Sequence, residues 1–146
     1  MRYFFSFFVF IFFLISGCSS NSTISKHADL NKYNYVVLPY VMSYSGNAEL
    51  MALEVKIYDS LASTRLNVIG DKEISALTET EKKQLLEARF SASQDSDYTK
   101  ISVNFVDYST GLPIASCYGA YGLGIDKASD LEGAVNKVTK EISQLF

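Results

Sequence analysis

The sequence predicts a mixed α/β domain in the order β-α-β-α-β-β-α, a four-stranded sheet whose antiparallel C-terminal hairpin is packed by helices. Three observations lead there. Runs of β-branched and aromatic residues alternate with helical spacing through the first half of the chain. Residues 98–105 alternate strictly between apolar and polar before a turn and a second strand-like run. The last twenty residues carry apolar side chains every three or four positions. Strands separated by helices indicate parallel pairing, and two strands joined by a short turn indicate an antiparallel hairpin.

The chain opens with Met1-Arg2, an apolar run from Tyr3 to Ile15, and Ser16-Gly17-Cys18. One positive charge, a short apolar core and small residues before a break are the three regions of a secretory signal. A run of 13 residues falls short of the ~20 a membrane-spanning helix needs, which argues against a retained anchor. Residues 1–17 are therefore expected to be a signal peptide. Ile15-Ser16-Gly17-Cys18 resembles the lipobox of bacterial lipoprotein precursors, and this implies a diacylglycerol and an N-acyl chain on Cys18 and anchorage in a bacterial membrane. Ser19, where an Asp would signal retention in enterobacterial lipoproteins, implies the periplasmic face of the outer membrane.

Residues 18–31 comprise the lipidated cysteine and a polar stretch poor in large apolar groups, expected to be a short flexible tether. One domain is then expected over residues 32–146. Tyr33 to Tyr40 has strand composition, closed by Pro39, and Val36-Val37-Leu38 suggests burial on both faces. A loop through Gly46 leads to Asn47, the expected N-cap of a helix whose Leu50, Leu53, Ile57 and Leu61 share a face and which ends near Thr64. Leu66 to Ile69 reads as a short strand, and Ile74 and Leu77 as one helical turn. Thr78 and Glu81 have capping-box spacing, so a peripheral helix is expected from Lys82 to about Phe90. After a polar break at Ser91–Asp97, Tyr98 to Phe105 and Pro113 to Tyr121 form the hairpin, joined by Asp107-Tyr108-Ser109-Thr110-Gly111. Asp126 or Ser129 is positioned to cap the last helix, whose apolar face is Leu131, Ala134, Val135, Val138, Ile142 and Leu145.

Composition narrows the function. The chain has 146 residues and a net charge of −3; without Arg2 there are 12 basic and 16 acidic residues. No Lys/Arg cluster suits nucleic acid. Seven of ten Phe lie in the signal, so the remaining chain is rich mainly in Tyr. With Cys18 lipidated, Cys117 has no disulfide partner and is expected to be a small buried residue. The sole histidine, His27, lies in the expected tether, which leaves neither a thiol nor a serine nucleophile a base in the domain. Asp95 with Asp97, and Asp126 with Asp130, read as loop and capping carboxylates. Gly119 to Gly124 lacks the spacing of a phosphate-binding loop. No enzyme, metal or dissociable cofactor is expected.

The order of elements, with Asp107, Thr110 and Gly111 in the hairpin turn, resembles the small periplasmic domain shared by curli secretion-channel lipoproteins, the N-terminal domain of the Tol-system propeller protein, and lipoprotein activators of peptidoglycan synthases. The resemblance implies a non-enzymatic binding or assembly module. The hairpin is too short to build a membrane pore, and residues 19–31 are too short to cross a cell-wall layer. Tyrosine suits interfaces because it joins apolar area to a polar tip, so Tyr40, Tyr44, Tyr108, Tyr118 and Tyr121 are the expected partner-binding residues. An envelope protein is the expected partner, with a homo-oligomer left open. A cell-wall glycan or small ligand on the same tyrosines is the alternative.

Overall fold

The computed structural model describes residues 19–39 and 48–146. Cys18, Tyr40, Tyr44 and the expected N-cap Asn47 lie outside the described residues, as do the signal peptide and the loop through Gly46. The described chain forms β1 (Ser19–Ile24), β2 (Tyr35–Val37), α1 (Ala48–Ala62), β3 (Asn67–Ile69), α2 (Glu79–Lys82), β4 (Leu85–Gln94), β5 (Thr99–Asp107), β6 (Pro113–Tyr121) and α3 (Lys127–Leu145), with 3-10 turns at Leu30–Lys32 and Asp71–Ala76. The class is the mixed α/β one expected, but the sheet has six strands rather than four, ordered β1-β6-β5-β4-β2-β3.

Two strands account for the difference. Ser19–Ile24 is no tether: it pairs antiparallel with β6, from Ser19 opposite Ala120 to Ile24 opposite Ala115. All six of its residues are exposed, so it contributes no apolar pattern, and its place in the sheet comes from backbone hydrogen bonds to β6. The expected helix from Lys82 to Phe90 is replaced by β4. The capping box is real, since the Thr78 hydroxyl accepts from Glu81 N and Glu81 accepts from Thr78 N, but it caps a single turn. Beyond it Leu86 and Ala88 are buried while Arg89 and Ser91 are exposed, the two-residue period of a strand. Lys, Gln, Glu, Ala and Arg favour helix by only tenths of a kcal/mol each, and pairing with β5 along nine registered positions, Leu86 to Gln94, outweighs that preference.

The remaining elements follow their sequence signals. β2 lies between β3 and β4, parallel to both, and Val36 and Val37 are buried. In the turn after β5, Gly111 takes φ 71°, a left-handed conformation that costs other residues about 1–2 kcal/mol. Asp126 caps α3 by accepting from Ser129 N at 2.8 Å.

The core lies between one face of the sheet and helices α1 and α3. It contains Val36, Leu86, Ala88, Ile101, Val103, Phe105 and Cys117 from the strands, and Leu53, Ile57, Leu61, Val135, Val138 and Ile142 from the helices. Phe146 closes its end with its ring edge-on to Phe105, centroids 4.8 Å apart. Gly119 lets α3 approach β6: a Cβ there would stand 2.5 Å from the Ala134 carbonyl oxygen. The opposite face of the central strands is polar, where Ser91 and Ser102 hydroxyls bond at 2.8 Å and Ser116 donates to Asn104 at 2.8 Å. The result is two layers over most of the sheet, with α1 and α3 on one side; at β2 and β4 both faces are covered, since Val36 with Val37 and Leu85 with Leu86 are buried in succession and the Tyr35 hydroxyl donates to Glu81 of α2.

Candidate functional site

Among the described residues, the expected tyrosines Tyr108, Tyr118 and Tyr121 do not come together. Tyr121 faces α3, where its ring fills the space a Cβ at Gly133 would need, and Lys137 Nζ lies 5.5 Å from its centroid. Tyr118 is three positions earlier on the same strand and so projects from the opposite face. Tyr108 follows β5 at the other end of the sheet. Tyr121 is thus a packing residue, and the three described tyrosines share no patch. Nor is β6 an accessible edge, because β1 covers it. Among the described residues the outermost strands are β1 and β3.

Beside β3 lies a surface feature that strand and helix patterns alone do not reveal. On α1, Met51, Val55 and Tyr58 are exposed at positions i, i+4 and i+7, the spacing of one helical face. This stripe lies next to the face that buries Leu53, Ile57 and Leu61. Below it, a groove of about 500 Å³ runs between α1 and the sheet edge, lined by Leu38, Val55, Tyr58, Val68 and Ile69, with Glu54, Gly70 and Glu73 completing the wall. The Glu73 carboxylate accepts from Gly70 N at 2.7 Å and fixes the start of the 3-10 turn. Apolar walls with a carboxylate rim suit a partner that offers apolar side chains and an occasional positive charge. The sequence holds one clue, since Met51 and Tyr58 widen the apolar stripe of α1 beyond what one buried face requires.

A second concentration of chemistry is structural. Asp107 is 3% exposed and gathers five donors: Lys32 Nζ and Tyr33 OH at 2.8 Å on Oδ2, and Ser109 N, Ser109 Oγ and Thr110 N at 2.9, 2.6 and 3.0 Å on Oδ1. Burial alone would raise its pKa, but the bonds from Lys32, Ser109, Tyr33 and Thr110 outweigh that and hold it well below the usual carboxylate range. Burial, then the bond to Asp107, pushes the Tyr33 hydroxyl well above its ordinary value. Both carboxylate oxygens are occupied by donors, so Asp107 acts as a clamp on the β5–β6 turn. Cys117 is buried; desolvation, with Glu141 nearby, pushes its thiol up to about 12, the opposite of what a nucleophile needs.

Fold and surface together define a two-layer α/β domain with an apolar-walled groove at one sheet edge. No protein-family model matches the chain, nor does any curated protein sequence. Among solved structures, a dodecamer of a single-substitution variant of PelC from Paraburkholderia phytofirmans is similar over 88% of this chain and 97% of that one, with a TM-score of 0.50 and 15% identity. A second PelC dodecamer from the same organism gives 0.47 and 14% over 88% and 96%. The first of these likenesses supports the fold.

Proposed function

We propose that the chain is a membrane-anchored periplasmic lipoprotein, held by acyl chains on Cys18 at the outer membrane, that acts as a non-enzymatic binding and assembly module for an envelope protein. The observation that carries this reading is the groove beside β3, where Val55 and Tyr58 stand exposed above Leu38, Val68 and Ile69. Apolar side chains aligned on one helix face and left in water are characteristic of a contact surface. Self-association belongs to the same reading, because the similar PelC variant is described as a dodecamer and two unlike sheet edges suit head-to-tail assembly.

The test places a photo-crosslinking amino acid at Val55 or Tyr58 in intact cells, with Asn104 on the polar face as control. Discrete adducts from the first two positions and none from Asn104 are expected, and their masses separate self-association from a different partner. Equal or absent crosslinking at all three positions would overturn the reading. The anchor is tested separately: Cys18→Ala is expected to abolish fatty-acid labelling.

A further inference from the structure

We infer that the end of the domain carrying Leu123 and Ile125 lies against the lipid bilayer, its apolar side chains immersed among the acyl chains. The inference rests on the proposed anchor at Cys18 and adds an orientation to it. Cys18 is bonded directly to Ser19, and Ser19 is already the first residue of β1, opposite Ala120. No spacer separates the acylated residue from the sheet. Consecutive Cα atoms are ~3.8 Å apart, so the end of the sheet where β1 starts must sit at the membrane surface.

That end is defined by several elements at once. β6 finishes there at Tyr121, which pairs with Thr99 at the start of β5. α3 begins there, with the Lys127 carbonyl accepting from Gln94 Nε2 at 2.9 Å. The segment from β6 to α3 projects Leu123, 56% exposed, and Ile125, wholly exposed. Tyr98, also exposed, stands beside Gly122 in the neighbouring turn. Strands are ~4.8 Å apart, so β5 lies about 10 Å from β1, within the footprint of a lipid anchor and its neighbours.

The segment is held in place rather than loosely extended. Gly124 N donates to Asp130 Oδ1 at 2.7 Å, and Asp126 caps the helix immediately after Ile125. An isoleucine fixed in water between two such restraints costs free energy that a bilayer would recover. Charge does not explain the contact: this end carries Asp95, Asp97, Asp126 and Asp130 against Lys100 and Lys127. The association is apolar and should be insensitive to salt.

The chain has no tryptophan, so one introduced indole reports its own surroundings. Full-length acylated Ile125→Trp and Leu112→Trp variants are reconstituted into phosphatidylcholine vesicles with brominated acyl chains. Leu112 is also exposed, at 62%, but lies at the opposite end of β6. Several-fold stronger quenching of Ile125→Trp than of Leu112→Trp, unchanged by added salt, is the expected result. Equal quenching, no quenching, or a blue shift without bromine quenching, as contact with another protein would give, overturns the inference. Mass spectrometry of the same samples reads acylation at Cys18. An acylated protein with an unquenched Ile125→Trp sinks the orientation alone, whereas an unmodified Cys18 sinks the anchor, whatever the quenching shows about this surface.

Discussion

The Tyr33 hydroxyl donates to Asp107 Oδ2 at 2.8 Å across 74 residues of chain, tying the segment before β2 to the turn between β5 and β6. Both side chains are almost wholly buried, so neither has water to fall back on if the other is removed. Arg65 strengthens the same corner by donating to the backbone oxygens of Tyr33 and Leu30 at 2.7 and 2.6 Å.

Stability should therefore depend on pH through this pair. The Asp107 pKa is lowered by folding, so its contribution is full above the unfolded value of ~3.9 and is lost as pH falls below it. The Tyr33 pKa is raised, so its contribution is full below the unfolded value of ~10 and is lost as pH rises beyond it. Tyr33→Phe should cost about 1–2 kcal/mol at neutral pH and flatten the alkaline limb. Asp107→Asn should cost about 3 kcal/mol and flatten the acid limb. Urea titrations from pH 3 to 11 would check both, and unchanged limbs would show that other groups set the pH dependence.

Two glycines should respond to alanine for different reasons. At Gly111 the added methyl meets nothing within 4 Å, and the cost is that of the left-handed backbone alone, about 1–2 kcal/mol. At Gly119 it would meet the Ala134 carbonyl oxygen at 2.5 Å and the Val138 nitrogen at 2.7 Å. Both are backbone atoms of α3, so the helix itself must move away from β6, and a loss of about 3 kcal/mol or more is expected. Thermal melts of the two variants would separate strain from collision, and equal losses would count against the distinction.

The thiol of Cys117 offers a probe that needs no mutation near the core. Buried and with its pKa pushed up to about 12, it should resist maleimide at pH 7.5 in the native protein and react once denaturant opens the core. Cys18→Ala protein leaves it as the sole thiol. Labelling should follow the unfolding curve, and rapid native labelling would contradict the burial.

Whether an element is readable depends on whether it buries a patterned face. α3 is legible because Ala134, Val135, Val138 and Ile142 are all buried, and β5 because Ile101, Val103 and Phe105 are. β4 reads as a helix because a true capping box and good helix formers precede and begin it, while its strand period is blurred by adjacent Leu85 and Leu86, both buried, and by small alanines at Ala88 and Ala92 between the larger Leu86 and Phe90. β1 is illegible in principle: five exposed polar residues and a single isoleucine, Ile24, leave no periodic signal, and only the neighbouring β6 makes them a strand. The groove beside β3 is hidden for a different reason, since Leu38 and Val68 come from separate stretches of chain and meet Val55 only in the folded protein. Tyrosine content points to a surface, but strand alternation scatters Tyr118 and Tyr121 to opposite faces.

Deleting Ser19–Ile24 while joining Cys18 to Ser25 distinguishes a strand from a tether. The six residues bury no apolar side chain, and the ladder's net gain of about 0.5–1.5 kcal/mol per hydrogen bond is offset by about 1–2 kcal/mol of ordering entropy per residue. Intrinsic stability should therefore shift by only a few kcal/mol. The larger consequence is that β6 loses its cover from Ala115 to Ala120, exposing unpaired backbone groups in a strand that other chains can join. The deletion should produce species beyond those of the parent that grow with concentration in sedimentation velocity. Proline at Asn21 and Thr23, whose N–H groups face β6 in the register that Ser25 N sets by donating to the Ile114 carbonyl oxygen, spoils pairing without shortening the chain and should do the same. A flexible tether predicts no change in either variant, so sedimentation profiles identical to the parent's would remove β1 from the sheet.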